Sequence, residues 1–112
     1  MLKENIKNLI KEGTVIPAHP LALTADRKLD EENQRLLTRY YMASGAGGVA
    51  VGVHSTQFEI RNEDVQLFEP VLRLAREEVD RAQLQRPFAM VAGIVGPTDQ
   101  ALREAELAAS LD

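Results

Sequence analysis

Apolar positions along this chain follow two periods, one helical and one continuous, and they alternate. At the amino end, "MLKENIKNLIKEG" sets Leu2, Ile6, Leu9 and Ile10 at helical spacing among Lys3, Lys7 and Lys11, and Gly13 ends the stripe. A short helix is expected there. "GTVIPAH", Gly13 to His19, is a β-branched run interrupted by Pro17 and closed by Pro20, which predicts a strand stopping at His19. Asp30 reads as the N-cap of "EENQRLLTRYYMAS", with Leu36, Leu37, Tyr40 and Tyr41 as the inward face and Gly45 as the stop. Gly48 to Val53 is continuously apolar, as in a strand covered on both sides. A polar loop through Asn62 and Asp64 leads to a helix from about Leu67 to Ala82, whose stripe is Val71, Leu74, Ala75, Val79 and Ala82 with Pro70 in the first turn. Arg86 to Gly96 predicts a third strand, and Thr98 a cap for a third long helix.

Strand and helix therefore alternate three times, which argues for a parallel sheet wound with right-handed crossovers. Three parallel strands leave unpaired edges on both sides, a liability that closure into a barrel removes. The expected fold class is α/β: the first three βα units of a (β/α)8 TIM barrel, preceded by a short amino-terminal helix. On this reading residues 1–112 are the amino-terminal part of one barrel domain, with strand four onward outside the sequence.

Composition narrows the chemistry. The 112 residues are 45% apolar, enough for a folded core, and 13 basic against 17 acidic residues give a net charge of -4. There is no basic block of the kind a nucleic-acid footprint needs, so nucleic acid is not an expected partner. Absence of cysteine excludes thiolate nucleophiles and ligands and suits a reducing compartment. No apolar run approaches the roughly 18 residues of a membrane span, and a cytoplasmic location is expected. The leading helix has an apolar stripe too narrow for a membrane-surface anchor and reads as a cap on the domain. The pairs Glu69 with Arg73 and Glu77 with Arg81 have the (i, i+4) spacing of a solvated helix face.

In a parallel α/β sheet the chemistry collects past the carboxyl ends of the strands. That places His19, the polar run His54, Ser55, Thr56 and Gln57, and the segment Gly93 to Thr98 on one rim. "GAGG", Gly45 to Gly48, precedes a strand and so reads as a helix stop and tight turn, not a phosphate loop. "AGIVGPT" follows a strand and opens a helix, so its amides could hold an anion, although Gly93 and Gly96 also suit a plain turn. His19 and His54 are the two histidines of the chain. They could contact ligand, or in a metal-dependent lyase or hydrolase serve as ligands beside carboxylates from later strands. A non-catalytic domain that pairs its open sheet with another copy is a further reading.

The segments "TVIPAHPLALTADRKLDEEN", "ASGAGGVAVGVHST" and "RPFAMVAGIVGPTDQALREAELAASLD" resemble the opening of the dihydrodipicolinate synthase and N-acetylneuraminate lyase family. The likeness runs from about Thr14 to Asp112 and rests on the order and spacing of these segments. It implies a class I aldolase-type barrel that binds pyruvate or a related 2-oxo acid as a lysine Schiff base, without metal or organic cofactor. After its second strand the family usually reads Gly-Thr/Ser-Thr-Gly-Glu, where hydroxyls and amides hold the substrate carboxylate and join a proton relay. The aligned residues here are Gly52, Val53, His54, Ser55 and Thr56. Val53 has no group to relay a proton, and His54 stands where the carboxylate-binding threonine would, leaving its amide to serve. His19-Pro20 replaces a Thr-Pro after strand one. The resemblance implies a substrate-binding set of Gly52, His54, Ser55 and Thr56, with His19 close by. It also implies a catalytic lysine on a later strand, beyond Asp112, while Lys3, Lys7, Lys11 and Lys28 fall in the leading helix or a loop. The complete enzyme is expected to be a homo-oligomeric lyase acting on a small 2-oxo acid.

Overall fold

A computed structural model describes residues 2–111. Its elements run α1 (Glu4–Glu12), α2 (Glu31–Ala43), β1 (Gly48–Val51), two short 3-10 turns (His54–Thr56 and Phe58–Arg61), α3 (Phe68–Ala82), β2 (Ala89–Ala92) and α4 (Thr98–Ser110). β1 and β2 pair in parallel with α3 as the crossover, in the register Gly48 with Ala89 through Val51 with Ala92. The architecture is α/β.

The expected first strand is present only in reduced form. The chain before His19 lies beside β1, with Val15 O accepting from Gly47 N at 2.9 Å, Pro17 O from Ala50 N at 3.0 Å, and His19 N donating to Ala50 O at 2.8 Å. A single parallel bridge, Ala18 to Ala50, results. Pro17 has no N–H to donate, so the ladder cannot extend through it. Between this segment and α2 the chain makes a small hairpin closed by the antiparallel bridge Leu23 to Leu29.

Strand alternation decides what β1 and β2 bury. Val49 and Val51 point the same way and are fully buried, packing with Val71, Leu72 and Ala75 of α3, Met42 of α2, and Ile60, Phe68 and Phe88. Met90 and Ala92, their register partners, pack against the same cluster. The other face carries Ala50 and Val91, and Val91 is exposed.

α2 begins where expected, with the Asp30 carboxylate accepting from Asn33 N at 3.1 Å. Its buried face matches the expected one only in part, with Leu37 and Tyr41 half-buried and Tyr41 packed against the core. Gln34, Thr38 and Met42 face inward, whereas Leu36 and Tyr40 are 45% and 65% exposed. The helix is turned by polar anchors: Gln34 Oε1 accepts from Ala22 N at 2.7 Å, and Thr38 meets His19. Apolar count alone could not reveal that the inward stripe contains an amide and a hydroxyl. At its far end Arg86 donates to Met42 O, in the last turn of the helix, and to Ala46 O just beyond it, both at 2.7 Å.

α3 follows the expected stripe at Val71, Leu74 and Ala75, and also buries Glu78. Glu69 pairs with Arg73 at 3.0 Å as its spacing suggests, but Glu77 does not pair with Arg81. Instead Arg35, Arg39 and Arg81 converge on Glu78, and Arg35 also reaches Glu77 at 2.8 Å. The hydrogen bond from Arg39, helped by Arg35, holds the Glu78 carboxyl below its usual range against the opposing effect of burial. The α2–α3 contact is thus an ion network as well as an apolar one. Thr98 is the first helical residue of α4, and Pro97 takes the cap position with no side-chain bond. Among the described residues no helix is long and apolar enough to cross a membrane.

Candidate functional site at the strand ends

Three chain segments meet at the carboxyl end of the sheet: His19-Pro20, Gly52 to Thr56, and Gly93 to Val95. Gly52 follows β1 with φ +80, and a Cβ added there would lie 2.6 Å from Phe68 Cε1. Glycine is required on both counts, because the backbone turns left-handed directly over a buried ring. The chain then enters the 3-10 turn His54–Thr56, closed by Thr56 N to Val53 O at 3.0 Å and Gln57 N to His54 O at 2.9 Å.

Thr56 faces inward and is fully buried. Its hydroxyl donates to His19 O at 2.6 Å and accepts from Gly52 N at 3.1 Å, so it ties the end of the first segment to the end of β1. His54 and Ser55 face outward and are exposed. The His54 ring stands edge-on to Phe58 with centroids 5.7 Å apart. No side chain caps the start of this turn, and the leading amides of a helical turn have no acceptor within it.

His19 is placed differently from the expectation that its ring lines the rim. Its backbone lies at the strand end, but the ring turns away toward α2 and is fully buried. Nδ1 lies 2.8 Å from Pro20 O and Nε2 lies 2.8 Å from Thr38 Oγ1. These contacts fit one neutral tautomer, with Nδ1–H donating to the carbonyl and Nε2 accepting from the threonine hydroxyl. Burial lowers the imidazole pKa, partly offset by the bond to Pro20. Both ring nitrogens are occupied, so His19 and His54 do not converge as metal ligands. Among the described residues no group of three or more His, Asp or Glu side chains has the arrangement of a metal site.

The expected anion position at "AGIVGPT" is filled by the chain itself. Val95 N donates to Glu104 Oε1 at 3.1 Å. Glu104, from α4, also accepts from Arg61 Nε at 2.9 Å and from Gln100 Nε2 at 2.7 Å. Burial pushes this carboxyl up, but the bonds from Arg61, Gln100 and Val95 outweigh it and hold the pKa below the usual value.

Sequence reasoning passed over Arg61 altogether. Its Nη2 donates to Gly52 O at 2.8 Å and to Gly93 O at 2.7 Å, and the guanidinium lies 4.3 Å from the centroid of the Phe68 ring. The side chain is only 6% exposed. Arg61, Phe68, Gln100 and Glu104 also line a cavity of about 500 Å3 between α3 and α4. No periodic pattern marks such a residue, since it sits in a loop and its partners are backbone carbonyls.

No family model matches the chain, and no curated protein matches it in sequence. Among solved structures, N-acetylneuraminate lyase from Mycoplasma synoviae is similar, with a TM-score of 0.73 at 17% identity over 88% of this chain. The chain spans 32% of the length of that lyase. The resemblance seen in the segments of the sequence is thus present in the fold, which matches one portion of the lyase chain.

Proposed function

We propose that the chain forms the first three βα units of a (β/α)8 barrel, and that the complete protein is a Schiff-base lyase or aldolase acting on pyruvate or a related 2-oxo acid, resembling dihydrodipicolinate synthase. The observation that carries this reading is the exposed His54-Ser55 turn at the carboxyl end of β1, in a chain whose fold matches part of an N-acetylneuraminate lyase. A substrate carboxylate is received by the His54 amide with the Ser55 hydroxyl beside it. The His54 ring narrows the space next to it and selects among 2-oxo acids. Gly52 and Thr56 shape the turn, and His19 supports it from behind through its carbonyl.

The nucleophile in this reading is a strand lysine beyond Asp112. Imine formation needs a neutral amine, which burial beside apolar walls favours, and Lys3, Lys7, Lys11 and Lys28 are all exposed. The amine attacks the keto carbon, water leaves, and the resulting iminium accepts the electron pair of the adjacent bond as carbon-carbon bonds form or break. Neither a metal nor an organic cofactor enters these steps. The complete enzyme works as a homo-oligomer in the cytoplasm.

Borohydride trapping with pyruvate tests the reading. The 112-residue chain is expected to trap no stoichiometric adduct, and the protein extended through its later strands to gain one at a single lysine. An adduct on a lysine of the present chain overturns the assignment of the nucleophile. An extended protein that traps nothing yet loses activity to a chelator overturns the Schiff-base mechanism.

A further inference from the structure

The guanidinium of Arg61 joins three elements at one point. Nη2 bridges the carbonyls of Gly52 and Gly93, the residues that immediately follow β1 and β2, while Nε is held by Glu104 of α4. The ladder itself ends here, with Gly93 N donating to Val51 O at 2.7 Å. Gly93 and Gly52 still lie so close that a Cβ on Gly93 would meet Gly52 O at 2.5 Å, and Arg61 ties the carbonyls of both. Phe68 lies under the guanidinium plane, which fixes the side chain from a further direction. Glu104 continues to Val95 N, so the same ion pair also sets the turn after β2. A charge this deeply buried is tolerable only when it is paired and hydrogen-bonded, as it is here on Nε and Nη2. Nη1 has no hydrogen-bond partner among the described residues.

We propose that Arg61 is a positioning residue for the strand-end pocket. By holding Gly52 O and Gly93 O on one nitrogen, it fixes the direction in which the chain leaves β1, and so the aim of the His54 amide and the Ser55 hydroxyl two and three residues later. This rests on the reading of that turn as a carboxylate site. Lysine cannot replace arginine, because an ammonium is a point charge without the planar fork that reaches two carbonyls and a carboxylate together.

The test uses two readouts on the complete protein. In Arg61→Lys, amide hydrogen exchange of residues 52–56 and 93–95 is expected to rise tenfold or more, with exchange in α2 unchanged. Half-saturation for pyruvate in borohydride trapping is expected to rise about tenfold, with the trapped amount at saturation retained. Unchanged exchange at the strand ends overturns the proposal, as does faster exchange with unaltered half-saturation. If the unaltered protein traps no pyruvate, the Schiff-base reading fails, and the pocket role of Arg61 falls with it even where exchange rises. Should Arg61→Lys not fold, Glu104→Gln keeps a neutral acceptor but removes the charge that anchors the guanidinium. The expected rise in both readouts is then about threefold, and no change in either overturns the proposal.

Discussion

Replacing Thr56 by valine removes one hydroxyl and keeps the shape of the side chain, which isolates what that hydroxyl does. In the structure it serves two backbone groups, the Gly52 amide and the His19 carbonyl, and Thr56, Gly52 and His19 are all buried. Thr56→Val leaves both groups without a partner and opens no cavity. A buried polar group stranded in this way costs about 1–3 kcal/mol, so the two together give roughly 3 kcal/mol after partial relaxation. For a chain of this size that is a large share of the total stability, typically about 0.05–0.15 kcal/mol per residue, and corresponds to a fall in Tm of roughly 10–20 °C. Thr56→Ser keeps the hydroxyl and loses one methyl, for about 1 kcal/mol. Urea unfolding followed by circular dichroism measures both, provided the slope against urea is the same in all proteins so that midpoints report stability. If Thr56→Val lies within 0.5 kcal/mol of the unaltered protein, or if serine is as damaging as valine, the hydroxyl does not tie these strand ends and the account of the turn is wrong.

The His19 imidazole, neutral when folded because of burial, makes stability depend on pH. Its folded pKa lies below the unfolded value near 6.5, so between the two the unfolded chain binds a proton that the folded chain does not. Its contribution is complete above pH 6.5 and is lost as the pH falls from there toward the folded pKa, at about 1.36 kcal/mol per pH unit. His19→Gln should abolish that part of the slope in urea midpoints measured from pH 7.5 to 5.5, and an unchanged slope would refute the assignment. Gly52→Ala places a Cβ against the Phe68 ring and asks an L-residue to adopt φ +80. The combined strain and overpacking should cost at least about 2 kcal/mol, read in the same unfolding assay, and a neutral outcome would mean the turn relaxes freely.

The alternation of helical and strand-like runs is local information, and the sequence carries it well. α1, α2, α3 and α4 and the strands β1 and β2 lie where apolar period, glycine stops and the Asp30 cap place them. β1 is legible because the run Gly48 to Val53 has no polar residue. The order of the segments likewise carried the resemblance that the fold bears out.

What tertiary structure alone decided is the direction of the polar side chains. Leu36 and Tyr40 were expected to face the core, but Gln34 and Thr38 do, because their hydrogen bonds to Ala22, His19 and Pro20 hold that side of α2 inward. His19 stands at a strand end in the sequence, yet its ring turns into the helix layer, since Thr38 and Pro20 offer partners there for both nitrogens. Thr56 and Ser55 are neighbours of similar chemistry, and only the 3-10 turn determines that one is buried and the other exposed. Arg61 acquires its bonds to Gly52, Gly93 and Glu104 from 9, 32 and 43 residues away. Periodicity reports how a residue relates to its near neighbours along one element. A hydrogen bond between elements depends on how those elements pack, and that geometry exists only once the whole core has formed.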